Sequence, residues 1–85
     1  MPGHKSLYGP QGTGVLLCLN DKSLCSLIEG GTGSNSRRLE QPDFLPDIFE
    51  SGTPNVFGIA GLKEGVRFVK RMGTHAIAER KKELV

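Results

Sequence analysis

The chain has 85 residues, with 11 Lys and Arg against 9 Asp and Glu and a net charge of +2. That length allows one small domain at most, and so balanced a charge gives no electrostatic case for nucleic acid. Trp is absent and aromatics make up 6%, so no stacking platform for single strands is evident; no apolar run reaches the ~20 residues of a membrane-spanning helix, and the opening residues lack the charged-then-apolar pattern of a signal peptide.

In chain order, residues 1–4 are predicted to end a strand. Lys5 then stands at a strand terminus, where α/β proteins place ligand-binding groups. Residues 6–13 are a loop: Gly9-Pro10 is a turn signal, and Gly12 and Gly14 permit positive φ. A lysine at the mouth of a glycine-rich loop suits chemistry on a bound anion or carbonyl, since its amine forms Schiff bases with aldehydes. The order is G-x-x-G-x-G, which is neither the dinucleotide fingerprint nor the phosphate-loop pattern. A tight turn carrying an exposed lysine explains the same residues.

Residues 14–19, with the run Val15-Leu16-Leu17-Cys18-Leu19, are predicted to form a buried strand, because the run is continuous and bounded by Gly and Asn20-Asp21. Asn20-Asp21 turns the chain. Residues 23–28 suggest one helical turn with Leu24, Leu27 and Ile28 facing inward. Glu29-Gly30-Gly31-Thr32-Gly33-Ser34 is a second glycine cluster, either an anion-binding nest of backbone amides or a surface loop. Residues 35–53 show no period, and Pro42, Pro46 and Pro54 break any helix or central strand. Arg37 and Arg38 are predicted to be solvated.

Asn55 to Met72 is predicted to be a helix, started by Thr53-Pro54-Asn55. Ile59, Leu62, Val66 and Val69 recur at helical spacing as its apolar face, with Lys63, Glu64, Arg67 and Arg71 opposite. Gly58, Gly61 and Gly65 each cost about 1 kcal/mol against Ala in a helix, which points to close approach of another backbone. Gly73 stops this helix and Thr74 caps a second one through Leu84. Its Arg80-Lys81-Lys82 run is predicted to be a solvated face, and His75 a surface residue.

Cys18 and Cys25 are spaced C-x6-C, and His4 and His75 add no zinc pattern, so no metal site is expected. Cys18, inside an apolar run, is predicted to be a buried small hydrophobe. Two reduced cysteines fit a cytoplasmic protein.

Two separated stretches carry a family resemblance. GHKSLYGPQGTGVLL (residues 3–17) resembles the lysine segment of the class V aminotransferases, most closely the cysteine desulfurase-like proteins. LIEGGTGSNS (27–36) followed by LEQPDFLPDIFESGTPNVFGIAGLKEGVRFV (39–69) resembles the continuation of the same family. The resemblance implies a fold-type I, pyridoxal 5′-phosphate-dependent enzyme, and an α/β slice of its three-layer αβα large domain. That slice would hold one or two strands, long loops and two C-terminal helices. Residues 1–73 would belong to the cofactor-binding large domain, and residues 74–85 would begin the helix leading toward the small domain. Members of the family run to several hundred residues, so an internal fragment, catalytically inert alone, is expected.

By the same resemblance, Lys5 forms the internal aldimine with the cofactor aldehyde and moves a proton at the substrate α-carbon, favoured by a partly desolvated, cationic pocket. His4 contacts the cofactor phosphate as a charge-assisted donor. Thr53, in Glu50-Ser51-Gly52-Thr53-Pro54, reaches the phosphate of the neighbouring subunit's cofactor, which implies a homodimer. The implied substrate is a small amino acid, cysteine first. There are departures. Ile48 stands where the family pattern has an arginine. The aspartate for the pyridine nitrogen, the substrate-carboxylate arginine and the desulfurase nucleophile have no match in the chain, and neither Cys18 nor Cys25 occupies that nucleophile's place. An aminotransferase or selenocysteine lyase of the same class therefore stays open. So do a non-catalytic module that binds phosphorylated ligands through its glycine loops, and an inactive truncated product.

Overall fold

The computed structural model describes residues 1–19 and 24–85. The turn predicted at Asn20-Asp21 and the start of the helical turn predicted from Ser23 lie outside them. The chain divides into two compact units, one made of Met1–Leu16 with Asn55–Val85 and the other of Leu17–Pro54.

The first unit is built on two helices, α1 (Val56–Met72) and α2 (Thr74–Glu83). Helix α1 begins where the Asn55 side chain accepts a hydrogen bond from the Gly58 amide at 2.9 Å, satisfying one of the amides that a helix start leaves unpaired. Lys70 and Arg71 lie in its last turn, where cations favour the negative end of the helix dipole. It ends at Gly73, whose φ of 81° suits a residue without a Cβ, and the Gly73 amide donates to the Val69 carbonyl at 2.9 Å. Gly73 also stands at the cap position of α2, and no side chain caps that helix. Thr74 is thus the first helical residue and not the cap predicted for it.

Helix α2 packs back on α1. Ile77 is half-buried and lines an apolar groove of about 190 Å³ with Tyr8, Phe68 and Met72. The basic run is solvated as predicted: Arg80 pairs with Glu83 at 2.9 Å and Lys82 with Glu79 at 2.8 Å, all well exposed. His75 is exposed as well.

The inner face of α1 differs from the one the hydrophobic pattern suggests. Gly58, Leu62 and Gly65 are buried, while Ile59 and Val66 are 54% and 42% exposed. Leu62 is the buried hydrophobic side chain among the described residues. A loop lies against this face, and only glycine lets its backbone approach so closely. Close approach was expected of the three glycines, but the face they define displaces the larger aliphatics outward.

The predicted strand over residues 14–19 is not formed. Gly14 makes an isolated antiparallel bridge with Pro2, and no strand longer than that occurs among the described residues. Leu16 and Leu17 are each 71% exposed. Cys18 is exposed too, against its predicted burial, as is Cys25. An apolar run becomes a buried strand only when neighbouring strands pair with it and layers cover both faces, and the described residues supply one bridging partner. Among the described residues the strands of the predicted αβα slice do not form, and its two C-terminal helices are present.

In the second unit, residues 24–28 are not helical, and Leu24, Leu27 and Ile28 are exposed rather than inward. One turn of helix fixes three residues for a single hydrogen bond and does not sustain itself without packing. Gly30 and Gly31 adopt φ of 98° and 66°, and Thr32 beside them is buried. Gln41 ties this segment together. Its Oε1 accepts from the Gly30 amide at 3.1 Å and its Nε2 donates to the Asp47 carbonyl at 2.8 Å. Asp47–Phe49 is a short 3-10 helix within the stretch predicted to be irregular, and Ile48 is half-buried in it. Arg37 and Arg38 are exposed as predicted. No helix among the described residues is long and apolar enough to cross a membrane.

Candidate functional site around Lys5

His4 and Lys5 occupy the turn Gly3–Leu7, both exposed. The loop that carries them is closed on itself. The Gly3 amide donates to the Thr13 carbonyl at 2.7 Å, the Gly9 amide to the Gly3 carbonyl at 2.8 Å, and the Val15 amide to the Met1 carbonyl at 2.9 Å. The Thr13 hydroxyl donates to the Pro10 carbonyl at 2.7 Å, and the Tyr8 amide reaches the Lys5 carbonyl at 3.2 Å. Tyr8 itself has a φ of 55°, an uncommon conformation for a residue with a side chain. Its ring meets Phe68 of α1 edge to face, with centroids 5.1 Å apart, and the Arg71 guanidinium carbon lies 5.9 Å from the centre of the same Phe68 ring.

The loop rests on the glycine face of α1. A Cβ on Gly65 would collide with the Leu7 carbonyl oxygen and come within 2.8 Å of the Tyr8 carbonyl group. One on Gly58 would stand 2.7 Å from the Thr13 methyl, and one on Gly61 3.1 Å from the Pro10 ring. From the loop side, a Cβ on Gly9 would lie 2.6 Å from Leu62 Cδ1. The loop therefore meets the helix through backbone at Leu7, Tyr8 and Gly9 and through side chains at Pro10 and Thr13. Gly12, predicted to allow positive φ, has φ 74°. Gly14 does not use that freedom, since it forms the bridge to Pro2.

The sequence candidates divide between the units. His4 and Lys5 are neighbours on one turn of the first unit, and Thr53 is an exposed residue of the second. The Gly30–Ser34 cluster is less open to an anion than its glycines suggest, because the Gly30 amide is already held by Gln41. The bridging role of Gln41 carried no sequence signal, and the Tyr8–Phe68 contact none beyond an aromatic at each position.

The whole chain, residues 1–85, matches the model of the family Aminotransferase class-V. The chain belongs to this family. A probable cysteine desulfurase of Pyrococcus abyssi is 36% identical over 98% of this chain and 22% of its own length. A probable cysteine desulfurase of Xylella fastidiosa is 37% identical over 98% of this chain and 21% of its own. A cysteine desulfurase of Wigglesworthia glossinidia brevipalpis is 37% identical, again over 98% and 21%. The chain thus spans about a fifth of the length of these relatives. No solved structure matches it.

For a class-V aminotransferase the resident group to test against these residues is pyridoxal 5′-phosphate. The donor set fits. Lys5 presents a primary amine on an exposed turn, and none of the ion pairs among the described residues engages it. His4 offers a ring N–H beside it, of the kind that donates well to a phosphate. The partly desolvated pocket expected around Lys5 is not made by these residues, since both side chains face solvent.

Proposed function

We propose that this chain carries the cofactor-attachment segment of a pyridoxal 5′-phosphate-dependent cysteine desulfurase, with Lys5 as the attachment residue. The observation that supports this most is the Gly-His-Lys turn held on the glycine face of α1, in a chain that matches the class-V family from end to end. When bound, the cofactor supplies an electrophilic aldehyde and a ring that withdraws electrons from a substrate α-carbon. Lys5 Nζ would hold the cofactor at its aldehyde, and the same amine would move a proton at that α-carbon. The His4 N–H donates to the cofactor phosphate. The Thr53 hydroxyl donates to the phosphate held by a second copy, so the working form is a homodimer.

Cysteine is the substrate favoured by the names of the relatives. An aminotransferase or a selenocysteine lyase is the alternative, and the two readings differ in residues that have no match in this chain. Residues 1–73 form part of the cofactor-binding large domain, and residues 74–85 lead toward the small domain. The protein works in the cytoplasm, in keeping with two free cysteines.

The test is an absorbance titration with pyridoxal 5′-phosphate. The chain gives a saturable spectral change, Lys82→Ala keeps it, and Lys5→Ala loses it. Equal changes in all three chains would overturn the assignment of Lys5.

A further inference from the structure

We infer that Gly65 is a positioning residue for the Lys5 amine: the helix must have no side chain there if the lysine turn is to sit where it does. The inference rests on the reading of Lys5 as the cofactor lysine, and it adds a residue that touches neither cofactor nor substrate.

Three observations converge on it. First, the contact is backbone to backbone. Gly65 is buried, and a Cβ there would strike the Leu7 carbonyl oxygen and lie 2.8 Å from both the carbon and the oxygen of the Tyr8 carbonyl. Neither can swing aside as a side-chain tip would, so the loop has to lift. Second, the struck atoms belong to the turn itself. Leu7 is two residues from Lys5, and the Tyr8 amide is bonded to the Lys5 carbonyl, so a shift at Leu7–Tyr8 is passed directly to Lys5. Third, the loop has little slack. Gly9 is bonded to Gly3, Gly3 to Thr13, and Tyr8 is held at φ 55° against Phe68. A displacement at one point cannot be absorbed by the next.

The glycine is also kept against local preference. A helix-interior Gly is poorer than Ala, and Gly61 and Gly65 stand one turn apart within α1. They do not carry equal weight. A Cβ on Gly61 meets only the Pro10 ring, at 3.1 Å and 3.2 Å, and that ring can move by a few tenths of an ångström. Gly65 meets carbonyl groups. Substituting the two with Ala gives the same gain in helix propensity but displaces the turn only at Gly65.

The experiment uses the 85-residue chain with Gly65→Ala, Gly61→Ala and Gly9→Ala. Gly9 lies outside the helix and bears on the same contact through Leu62 and the Gly3 carbonyl, so it reports on the clamp even if Gly65→Ala disturbs α1. The first readout needs no cofactor. It is the trypsin cleavage rate at Lys5-Ser6 relative to Arg38-Leu39, which tracks how often the turn opens. The second is the fraction of Lys5 trapped by pyridoxal 5′-phosphate and borohydride relative to Lys81 and Lys82 in the same molecules. Gly65→Ala and Gly9→Ala raise relative cleavage at Lys5 by about tenfold or more and lower relative trapping by about tenfold, with helical circular dichroism retained. Gly61→Ala stays within about threefold of the parent in both.

Unchanged cleavage in both Gly65→Ala and Gly9→Ala would overturn the clamp. Faster cleavage with undiminished trapping on Lys5 would overturn the positioning role. A parent chain with no preference for Lys5 over Lys81 and Lys82 would instead overturn the cofactor reading beneath it, while the cleavage rates still report on the clamp.

Discussion

Leu62 is where the stability of the first unit is most concentrated, and Leu62→Ala measures it. The side chain is 7% exposed, and its Cδ1 lies against Gly3 and Gly9. Truncation to Ala removes three carbon groups at about 0.8 kcal/mol each, or roughly 2.4 kcal/mol of lost burial. A cavity term adds to this, because the facing residues are glycines with no side chain to fall into the gap. The sum belongs in the upper part of the 2–5 kcal/mol range for such truncations, about 3.5 kcal/mol. In urea, with a slope of about 1 kcal/mol per molar for a small protein, the midpoint falls by about 3.5 M. The assay is far-ultraviolet circular dichroism of α1 and α2 against urea, with the near-ultraviolet signal of Tyr8, the single tyrosine, as a probe of the loop. Both signals move together. Leu62→Met, which nearly conserves volume, costs less than about 1.5 kcal/mol. A Leu62→Ala midpoint within about 0.5 M of the parent would refute the reasoning that helix and loop share this one core contact.

Other perturbations follow from the same geometry. Asn55→Ala removes the cap bond to Gly58 and costs about 1 kcal/mol, read as a lower melting temperature; Asn55→Asp restores it. Gln41→Ala removes both bonds that join Gly30 to Asp47, at about 1 kcal/mol each, and speeds amide exchange at Gly30 but not within α1. Gln41→Glu keeps the acceptor and loses the donor, and falls between the two. A double-mutant cycle on Tyr8→Leu and Phe68→Leu gives a coupling of about 0.5–1.5 kcal/mol from the edge-to-face rings. Glu64→Gln, which breaks an exposed pair with Arg67, changes the melting free energy by less than about 1 kcal/mol.

The two helices were legible because their signals are local. Periodicity, the Pro54-Asn55 start and the Gly73 stop gave bounds within a residue or two of Val56–Met72 and Thr74–Glu83. Which face of α1 turns inward was not legible from hydrophobicity, which ranks Ile59 and Val66 above glycine. The partner is a backbone loop, and close approach selects Gly58 and Gly65 instead. The three glycines did signal close approach, but only the structure identifies the partner as the segment holding Lys5. The apolar run 15–19 misled for a different reason. Its composition suits a buried strand, but strand formation depends on partners that periodicity within the run cannot reveal, and here the pairing stops at Gly14. Lys5 and His4 were legible only through motif resemblance, as composition alone equally describes an exposed turn. Gln41 was hidden because a glutamine that spans two loop segments leaves no pattern in sequence.

The most direct measurement concerns the six lysines at positions 5, 22, 63, 70, 81 and 82. The chain is incubated with pyridoxal 5′-phosphate, reduced with borohydride and digested, and the pyridoxyl group is located by mass spectrometry. If Lys5 is the attachment residue, the label concentrates on Lys5 at limiting cofactor and disappears from that peptide in Lys5→Ala without moving to another lysine. Label spread over all six, with Lys5 no more reactive than Lys81 or Lys82, would contradict the assignment of Lys5.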